Sequence, residues 1–210
     1  MNANDHRPNG LQLGLVTDNG DPDGRGRVQV RLVATDLVVW CPVLTPSAGD
    51  GYGVACLPRL DELVVVGFLG PDQPVVLGAL WAGAGQAPDD ASPVEDNYLI
   101  RTPGGSRIRI DDSAPSVQIE TPAGHRIAID EGAGELVIER DGDRIRLSAG
   151  GIEVRSASQV QVDAGNVNVS ASFVQVDCPM VRFSGVVSCD TLMSNSVVSA
   201  SYSPGAGNIW

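Results

Sequence analysis

Short apolar runs separated by turn residues make up the first third of the chain. Residues 27–33 (RVQVRLV) alternate apolar and polar side chains, the period-two pattern of a strand with one buried face. Similar runs predict further strands at 14–17, 38–43, 52–57, 62–69 and 75–81. No segment has a convincing helical period. Because closing a small sheet removes its exposed edges, five or six such strands predict a small β-barrel.

The chain becomes repetitive after residue 97. Residues 102–112 (TPGGSRIRIDD) recur as 121–131 (TPAGHRIAIDE), and 141–147 (DGDRIRL) is a looser third copy. The first two copies are 19 residues apart, and repeats at such a spacing are typical of stacked supersecondary units. Each unit predicts a pair of short strands joined by a Gly or Asp turn.

From residue 152 the repeat shortens to pairs of apolar residues with one residue between them, spaced eight and then seven residues apart. The predicted core positions are Ile152, Val154, Val160, Val162, Val167, Val169, Val174, Val176, Val181 and Phe183. A coiled coil also has a seven-residue period, but it places apolar residues three and four apart. Here they stand two apart and are mostly β-branched, so the pattern indicates strands.

Strands this short cannot bury an apolar face alone. Seven residues are also too few for one chain to complete a coil of a three-sided solenoid. The pattern therefore favours three identical chains around a threefold axis, with the apolar pairs inside, over a single-chain β-solenoid. The predicted fold is all-β, a barrel followed by a trimeric, triple-stranded β-helix, and the trimer is a condition of folding.

The domain boundaries follow from these patterns. We expect an N-terminal arm at 1–10, the barrel at 11–82 and a linker rich in Gly, Ala, Pro and acidic residues at 83–97. The β-helix then covers 98–201, and a Pro- and Gly-containing tip segment covers 202–210.

Composition excludes several classes of function. The formal net charge is −12, and the chain has 14 basic residues, every one of them Arg. Without Lys there is no Schiff-base or phosphate-loop lysine, and the acidic balance disfavours nucleic-acid binding. The polar start of the chain has no signal-peptide pattern, which predicts synthesis in the cytoplasm. The four cysteines lack metal or redox spacing, so free thiols are expected, with pairing of Cys178 and Cys189 left open.

Candidate catalytic groups are few. His6 and His125 are far apart in the sequence, and the carboxylate pairs at 89–90 and 111–112 stand in a linker and a turn. No nucleophile elbow, zinc-protease motif or phosphate loop occurs. We expect no enzymatic activity, no cofactor and no metal.

The order of short motifs across the barrel resembles one family in particular. They are Asp-Pro-Asp-Gly-Arg-Gly-Arg-Val at 21–28, Trp-Cys-Pro-Val at 40–43, Pro-Ser-Ala-Gly at 46–49, Leu-Pro-Arg-Leu-Asp-Glu at 57–62 and Pro-Val-Val-Leu-Gly-Ala-Leu-Trp at 74–81. The chain resembles the spike family of phage baseplate assembly protein V and of the valine-glycine repeat protein G of type VI secretion.

This resemblance implies an oligonucleotide/oligosaccharide-binding (OB) fold for the barrel and a trimeric spike that pierces a target envelope mechanically. It implies a baseplate hub protein as a partner at the barrel end and transient contact with the target membrane. The spike would work in a phage tail, an extracellular injection particle or a type VI apparatus, and the absence of larger hub domains favours the first two. The lysozyme-like domain and the His-x-His metal tip of some relatives have no counterpart here.

The C-terminal segment ends in Asn208, Ile209 and Trp210. These residues either fold back to cap the β-helix or bind a tip protein with proline-alanine-alanine-arginine repeats, as the resemblance implies. The alternative function is a trimeric β-helix tailspike that binds or cleaves surface polysaccharide. The low aromatic content, 4%, argues against that alternative.

Overall fold

The computed structural model describes residues 10–70, 72–83, 86–93 and 95–201, and these residues form β-strands, one short 3-10 turn and no α-helix. The chain divides into two units, Met1–Val160 and Gln161–Trp210. The first unit contains a barrel and a separate meander sheet. The second unit is described on its own below.

The barrel is built from five antiparallel strands. They are β1 (Leu11–Asp18), β2 (Arg27–Leu32), β3 (Val38–Pro42), β6 (Leu63–Phe68) and β7 (Pro74–Leu80), in the spatial order β3-β2-β1-β6-β7. A parallel bridge between Val43 and Val76 joins the two outer strands, and Leu44 N donates to the Val76 carbonyl at 2.8 Å. This bridge closes the sheet, as the barrel prediction required.

The predicted strand at 52–57 is only partly formed. β4 (Ala48–Gly49), which was not predicted, and β5 (Tyr52–Gly53) form a small hairpin outside the five-stranded sheet, and no strand continues through residues 54–57. The apolar residues of that stretch, Val54 and Leu57, are exposed. The predicted strand at 52–57 is therefore wrong beyond Gly53, because its side chains do not reach the barrel interior.

The barrel core consists of alternating residues from the five strands. The fully buried side chains are Val16, Val28, Val30, Leu32, Cys41, Val64, Val66 and Val76. In β2 the buried residues follow the predicted alternation, with polar residues pointing out between them. β-Branched side chains suit this interior because they fill the space above a pleated sheet with little loss of rotamer freedom.

A short ordered segment connects the barrel to the meander sheet. Its 3-10 turn, Asp89–Ala91, lies against the first strands of the sheet. Asp90 accepts a hydrogen bond from Arg107 Nη1 at 3.0 Å, and buried Asn97 donates to the Pro93 carbonyl at 3.0 Å. The predicted linker is therefore anchored to the sheet by ion pairs and hydrogen bonds over its second half.

The meander sheet is a run of seven antiparallel strands, each paired with the next. They are β8 (Asn97–Arg101), β9 (Arg107–Asp111), β10 (Ser116–Glu120), β11 (Arg126–Asp130), β12 (Glu135–Arg140), β13 (Asp143–Ser148) and β14 (Gly151–Arg155).

The two sequence repeats at 102–112 and 121–131 form equivalent turns and strands in this sheet. In both turns the Thr Oγ1 accepts a hydrogen bond from the backbone N four residues later, in Ser106 and His125. A glycine with positive φ precedes each of these residues: Gly105 at 92° and Gly124 at 81°. The prediction of strand pairs joined by Gly or Asp turns is confirmed for residues 97–155.

The described part of the second unit, residues 161–201, has no strand. Residues 156–201 contain bends and no regular secondary structure, and all residues from 157 to 201 are exposed. The short strands predicted between 160 and 183 are therefore not formed within one chain, and neither is a single-chain solenoid. The physical reason is that each apolar pair lies on three residues of backbone with no neighbouring strand to pair with.

Candidate functional site

The candidate functional site is an apolar stripe on one face of the meander sheet. Directly opposed residues in an antiparallel pair lie on the same face, as do residues two apart in a strand. The register places Ile119 opposite Ile108 and Ile127, and Ile138 opposite Ile127 and Ile145. Each of the seven strands contributes two such residues. The apolar stripe is Tyr98, Ile100, Ile108, Ile110, Val117, Ile119, Ile127, Ile129, Leu136, Ile138, Ile145, Leu147, Ile152 and Val154.

The apolar stripe runs across the strands rather than along them. With neighbouring strands about 4.8 Å apart, seven strands make it about 30 Å long, while two residues of one strand make it about 7 Å wide. A long, narrow and continuous surface of this kind can be buried only by something that also extends across the strands.

In strand β9 of the meander sheet, apolar residues are more exposed than a charged one, which is the reverse of what a folded domain normally shows. Ile108 and Ile110 are each 40% exposed, whereas the side chain of Asp111 in the same strand is 13% exposed. Ile152 reaches 75%. Monomeric proteins rarely expose contiguous apolar surface of this size, so the stripe marks a contact with another molecule.

The opposite face of the sheet is covered by paired charges. Glu120 accepts from Arg107 at 2.8 Å and lies 3.4 Å from Arg126, which also pairs with Glu139 at 2.9 Å. Ala128 and Val137 lie opposite each other on the same polar face, and each is only 5% exposed. Most charged side chains of this face thus have partners within one chain, although Arg144 Nε and Arg146 Nε are buried without a hydrogen bond, whereas the apolar face has no covering layer among the described residues.

Several carboxylates on this face are held in the ionised form. The hydrogen bond from Arg146 lowers the pKa of Glu135, and the same pair raises the pKa of Arg146. A backbone hydrogen bond from Ala114 and the Ser113 hydroxyl lower the pKa of Asp111. Burial, the largest single effect, raises the pKa of Asp90, but the hydrogen bond from Arg107, a backbone hydrogen bond and the charges of Arg101 and Arg107 together leave this pKa lowered. None of these groups has the raised pKa of a general acid.

The structure divides the predicted core positions between two places. Ile152 and Val154 lie in β14 and form the last pair of the apolar stripe. The other eight positions, Val160, Val162, Val167, Val169, Val174, Val176, Val181 and Phe183, lie outside any strand, and each is more than half exposed. The predicted tip residues Asn208, Ile209 and Trp210 lie outside the described residues.

The sequence prediction missed most of the apolar stripe. The signal was present, since the strands contain Ile-x-Ile, Val-x-Ile, Leu-x-Ile and Ile-x-Leu pairs of the same form as the Val-x-Val pairs after residue 160. The longer repeat was interpreted only as pairs of strands, and the core positions were sought from residue 152 onward. Only the register shows that all of these pairs lie on one face.

The candidate chemical groups of the described residues are not brought together, and His6 lies outside those residues. His125 Nδ1 lies 3.1 Å from Thr121 Oγ1 in its turn. Within the described part of the chain, no group of three metal-ligating side chains is found. Burial raises the pKa of the Cys41 thiol to about 11, and Cys178 and Cys189 are free and exposed. Among the residues described, none forms a helix long and apolar enough to cross a membrane.

Comparison with known proteins identifies the barrel. Residues 12–81 match the family described as the type VI secretion system/phage-baseplate injector OB domain. The chain is also 32% identical over 129 residues to the type VI secretion system spike protein VgrG5 of Pseudomonas aeruginosa, and 33% identical over 88 residues to VgrG4b of the same organism. These matches cover 52% and 38% of this chain, but only 16% and 11% of the two relatives.

Proposed function

We propose that this chain is a homotrimeric central spike that penetrates a target envelope mechanically, because residues 12–81 match the injector OB domain family of type VI secretion systems and phage baseplates. A structural role in a spike or baseplate agrees with the family and with the similarity to the VgrG spike proteins. The trimer, the β-helix and the piercing action are the parts that the proposal adds.

The observation that carries the proposal is the apolar stripe. Full burial of an exposed aliphatic side chain contributes about 1.5–3 kcal/mol. With two partly exposed residues from each of seven strands, closing the stripe is worth on the order of 10 kcal/mol per chain. Three copies arranged around an axis parallel to the stripe enclose it on every side.

Residues 160–183 support three copies in particular. Their apolar pairs recur every seven residues and remain exposed in the single chain. In the proposed trimer each chain supplies one side of every layer, and the backbone groups of each short strand pair with the neighbouring chains. This second part of the spike is a triple-stranded β-helix with the apolar pairs inside.

The mechanism requires stiffness and no catalytic group. A hydrogen-bond ladder closed around a dry core resists bending. In the proposed particle, the barrels form a collar on a baseplate hub protein, and a contracting sheath drives the narrow end through the membrane. A tip protein on the C-terminal end and assembly of the cytoplasmically made chain into a phage tail or injection particle belong to the same proposal.

Light scattering on the purified full-length chain tests the proposal. The expected mass is three times 21.9 kDa, independent of concentration over the micromolar range. A mass of one chain would contradict the spike. The same sample, incubated with cell-surface polysaccharide, is expected to release no reducing ends, and release would favour the tailspike function instead.

A further inference from the structure

The last strand of the meander sheet has one side without a partner. β14 (Gly151–Arg155) pairs with β13 and ends the strand order, so among the described residues no strand lies on its other side. Alternate residues of a strand direct their N–H and C=O groups to each side. The groups on the free side of β14 therefore have no neighbouring strand, and an open edge of this kind is a template for pairing with one.

The two ends of the meander sheet differ in this respect. At the other end, the 3-10 turn Asp89–Ala91 lies against β8, and Asp90 pairs with Arg107 at 3.0 Å. No strand or 3-10 turn of the described chain lies against the free side of β14. Its apolar residues Ile152 and Val154 are 75% and 57% exposed. The sheet is thus open at the end from which the chain continues into the second unit.

The chain that follows β14 is turned away from this free side. Asp143 Oδ1, at the start of β13, accepts hydrogen bonds from the Ser156 hydroxyl at 2.8 Å and from Ala157 N at 2.9 Å. Ala157 also lies beside the turn that precedes β13, since a methyl group on Gly142 would be 3.3 Å from its Cβ. Both contacts hold residues 156–157 on the β13 side of β14. The chain therefore does not fold back to become the next strand of its own sheet.

The next apolar pair in the sequence matches the open strand. Ile152 and Val154 of β14 are followed by Val160 and Val162, an identical pattern that has no strand in the single chain. In a parallel strand beside β14, Val160 lies next to Ile152 and Val162 lies next to Val154. One apolar face then continues across both strands, and the apolar stripe extends by one strand without a change of pattern.

Rotational symmetry supplies this pair from another copy. When copies are related by rotation about an axis parallel to the apolar stripe, a chain that leaves its own sheet where β14 ends reaches the next sheet where β14 begins. It then runs in the same direction as that strand. We propose that residues 159–163 of each chain form a parallel strand on the free side of β14 in the next copy, an inference that rests on the proposed trimer. Strand pairing within one chain then changes to pairing between chains at residues 156–158.

This strand exchange sets the direction in which the copies associate. Burial of the apolar stripe alone does not fix that direction, because the hydrophobic effect is not directional. A parallel strand on β14 requires the neighbouring chain to run the same way, and each chain passes to only one neighbour. Three exchanges around the axis therefore specify three parallel chains in a fixed rotational order.

Disulfide formation between chains tests the inference. The parallel register places Glu153 of one copy beside Gln161 of the next, at the roughly 4.8 Å between neighbouring strands, which a disulfide can bridge. Glu153→Cys and Gln161→Cys are combined in a chain whose exposed cysteines, Cys56, Cys178 and Cys189, are replaced with Ser. After oxidation by dissolved oxygen with a copper catalyst, we expect a covalent trimer on a non-reducing denaturing gel, because three bonds close a ring of chains.

A second pair and a register control sharpen the test. Arg155→Cys with Asp163→Cys lies in the same register and is expected to give the same covalent trimer, so the result does not depend on one pair of substitutions. Replacing Gln161→Cys with Asn168→Cys moves the thiol one strand further, to about 10 Å from residue 153, beyond the reach of a disulfide. We expect this control to give at least about tenfold less covalent trimer. Light scattering before oxidation verifies that each variant is assembled.

The outcomes separate the strand exchange from the proposal beneath it. A natural chain that is monomeric sinks both. An assembled trimer whose thiols join within one chain, or do not join in either pair, overturns the strand exchange and leaves the spike intact. Covalent dimers in place of trimers overturn both, since two copies would then exchange strands reciprocally.

Discussion

Gly14 in β1 lies where two neighbouring strands approach most closely. A methyl group on its Cα would overlap Val30 Cγ1 and would lie 3.2 Å from the Arg31 carbonyl oxygen and 3.6 Å from Val66 Cγ2. All three atoms belong to the strands that flank β1 in the barrel. Only a residue without a side chain allows the core valines to keep their positions.

We therefore predict that Gly14→Ala destabilises the barrel by about 1–3 kcal/mol, the usual cost of inserting a methyl group into a packed core. The measurement is the free energy of unfolding of the barrel in urea. Gly78→Ala is the matched control, because the new methyl group meets no atom within 4 Å in β7. A Gly14→Ala protein as stable as the control would show that the strands can separate without cost.

Asp21 shows how far single residues can be read from the sequence. The segment Asp-Pro-Asp-Gly at 21–24 predicts a turn, and residues 19–26 indeed contain no strand. The sequence did not predict that the side chain of Asp21 is 3% exposed and organises the turn. It accepts hydrogen bonds from Arg27 and from the backbone N of Asp23 and Arg25, and the Arg27 contact lowers its pKa. Such contacts depend on backbone positions that no short pattern encodes.

At the scale of elements, the strands of the barrel and of the meander sheet could be predicted because alternation is a local property. β2 begins at its predicted first residue and ends one residue early, and β6 lies within its predicted span. What could not be predicted is which strands share a face. Ile110 and Val117 stand seven residues apart in sequence but directly opposite in register, and the apolar stripe exists only because every such pair in the sheet aligns.

The apolar stripe leads to a prediction at the same scale. Ile127 lies in β11, the middle strand of the meander sheet, and is 41% exposed in the single chain. Replacing Ile127 with Glu costs the single chain little, since the new carboxylate remains in water. In the proposed trimer it places three carboxylates in a closed apolar core, where burying each charge costs several kcal/mol.

We expect Ile127→Glu to convert the trimer into a monomer with a folded barrel, measured by light scattering together with the urea unfolding of the barrel. Leu69→Glu is the control, since Leu69 is 78% exposed at a turn of the barrel. A trimeric Ile127→Glu protein would mean that the apolar stripe faces something other than two further copies.

For the whole molecule, the two units of the chain differ in how much structure one copy can supply. The first unit has a buried core in its barrel and a face of ion-paired side chains on its meander sheet. Residues 161–201 have neither, and Val186 and Val198 are each 98% exposed. If the spike is a trimer, residues 161–201 form their strands only on assembly, whereas the barrel is folded before it.

Trypsin can detect this difference, because the chain has no Lys and Arg182 is the only basic residue between 161 and 201. Arg182 stands between the predicted core positions Val181 and Phe183. Cleavage there requires local opening of the backbone, which a closed β-helix permits only rarely. We expect the trimer to be cut after Arg182 at least about a hundredfold more slowly than the Ile127→Glu monomer. The measurement is the appearance of the fragment 183–210 by mass spectrometry.

The Arg182→Gln variant is the control for the cleavage site. This substitution should remove the fragment 183–210 both in the trimer and in the Ile127→Glu monomer. Equal cleavage rates in a verified trimer and in the monomer would place residues 161–201 outside the assembled core. In that case the apolar stripe would hold the three chains together, and the Val-x-Val pairs would need a partner other than two further copies of this chain. Slow cleavage in the trimer alone would instead mean that one interface continues from the meander sheet into the second unit, as a spike that transmits force requires.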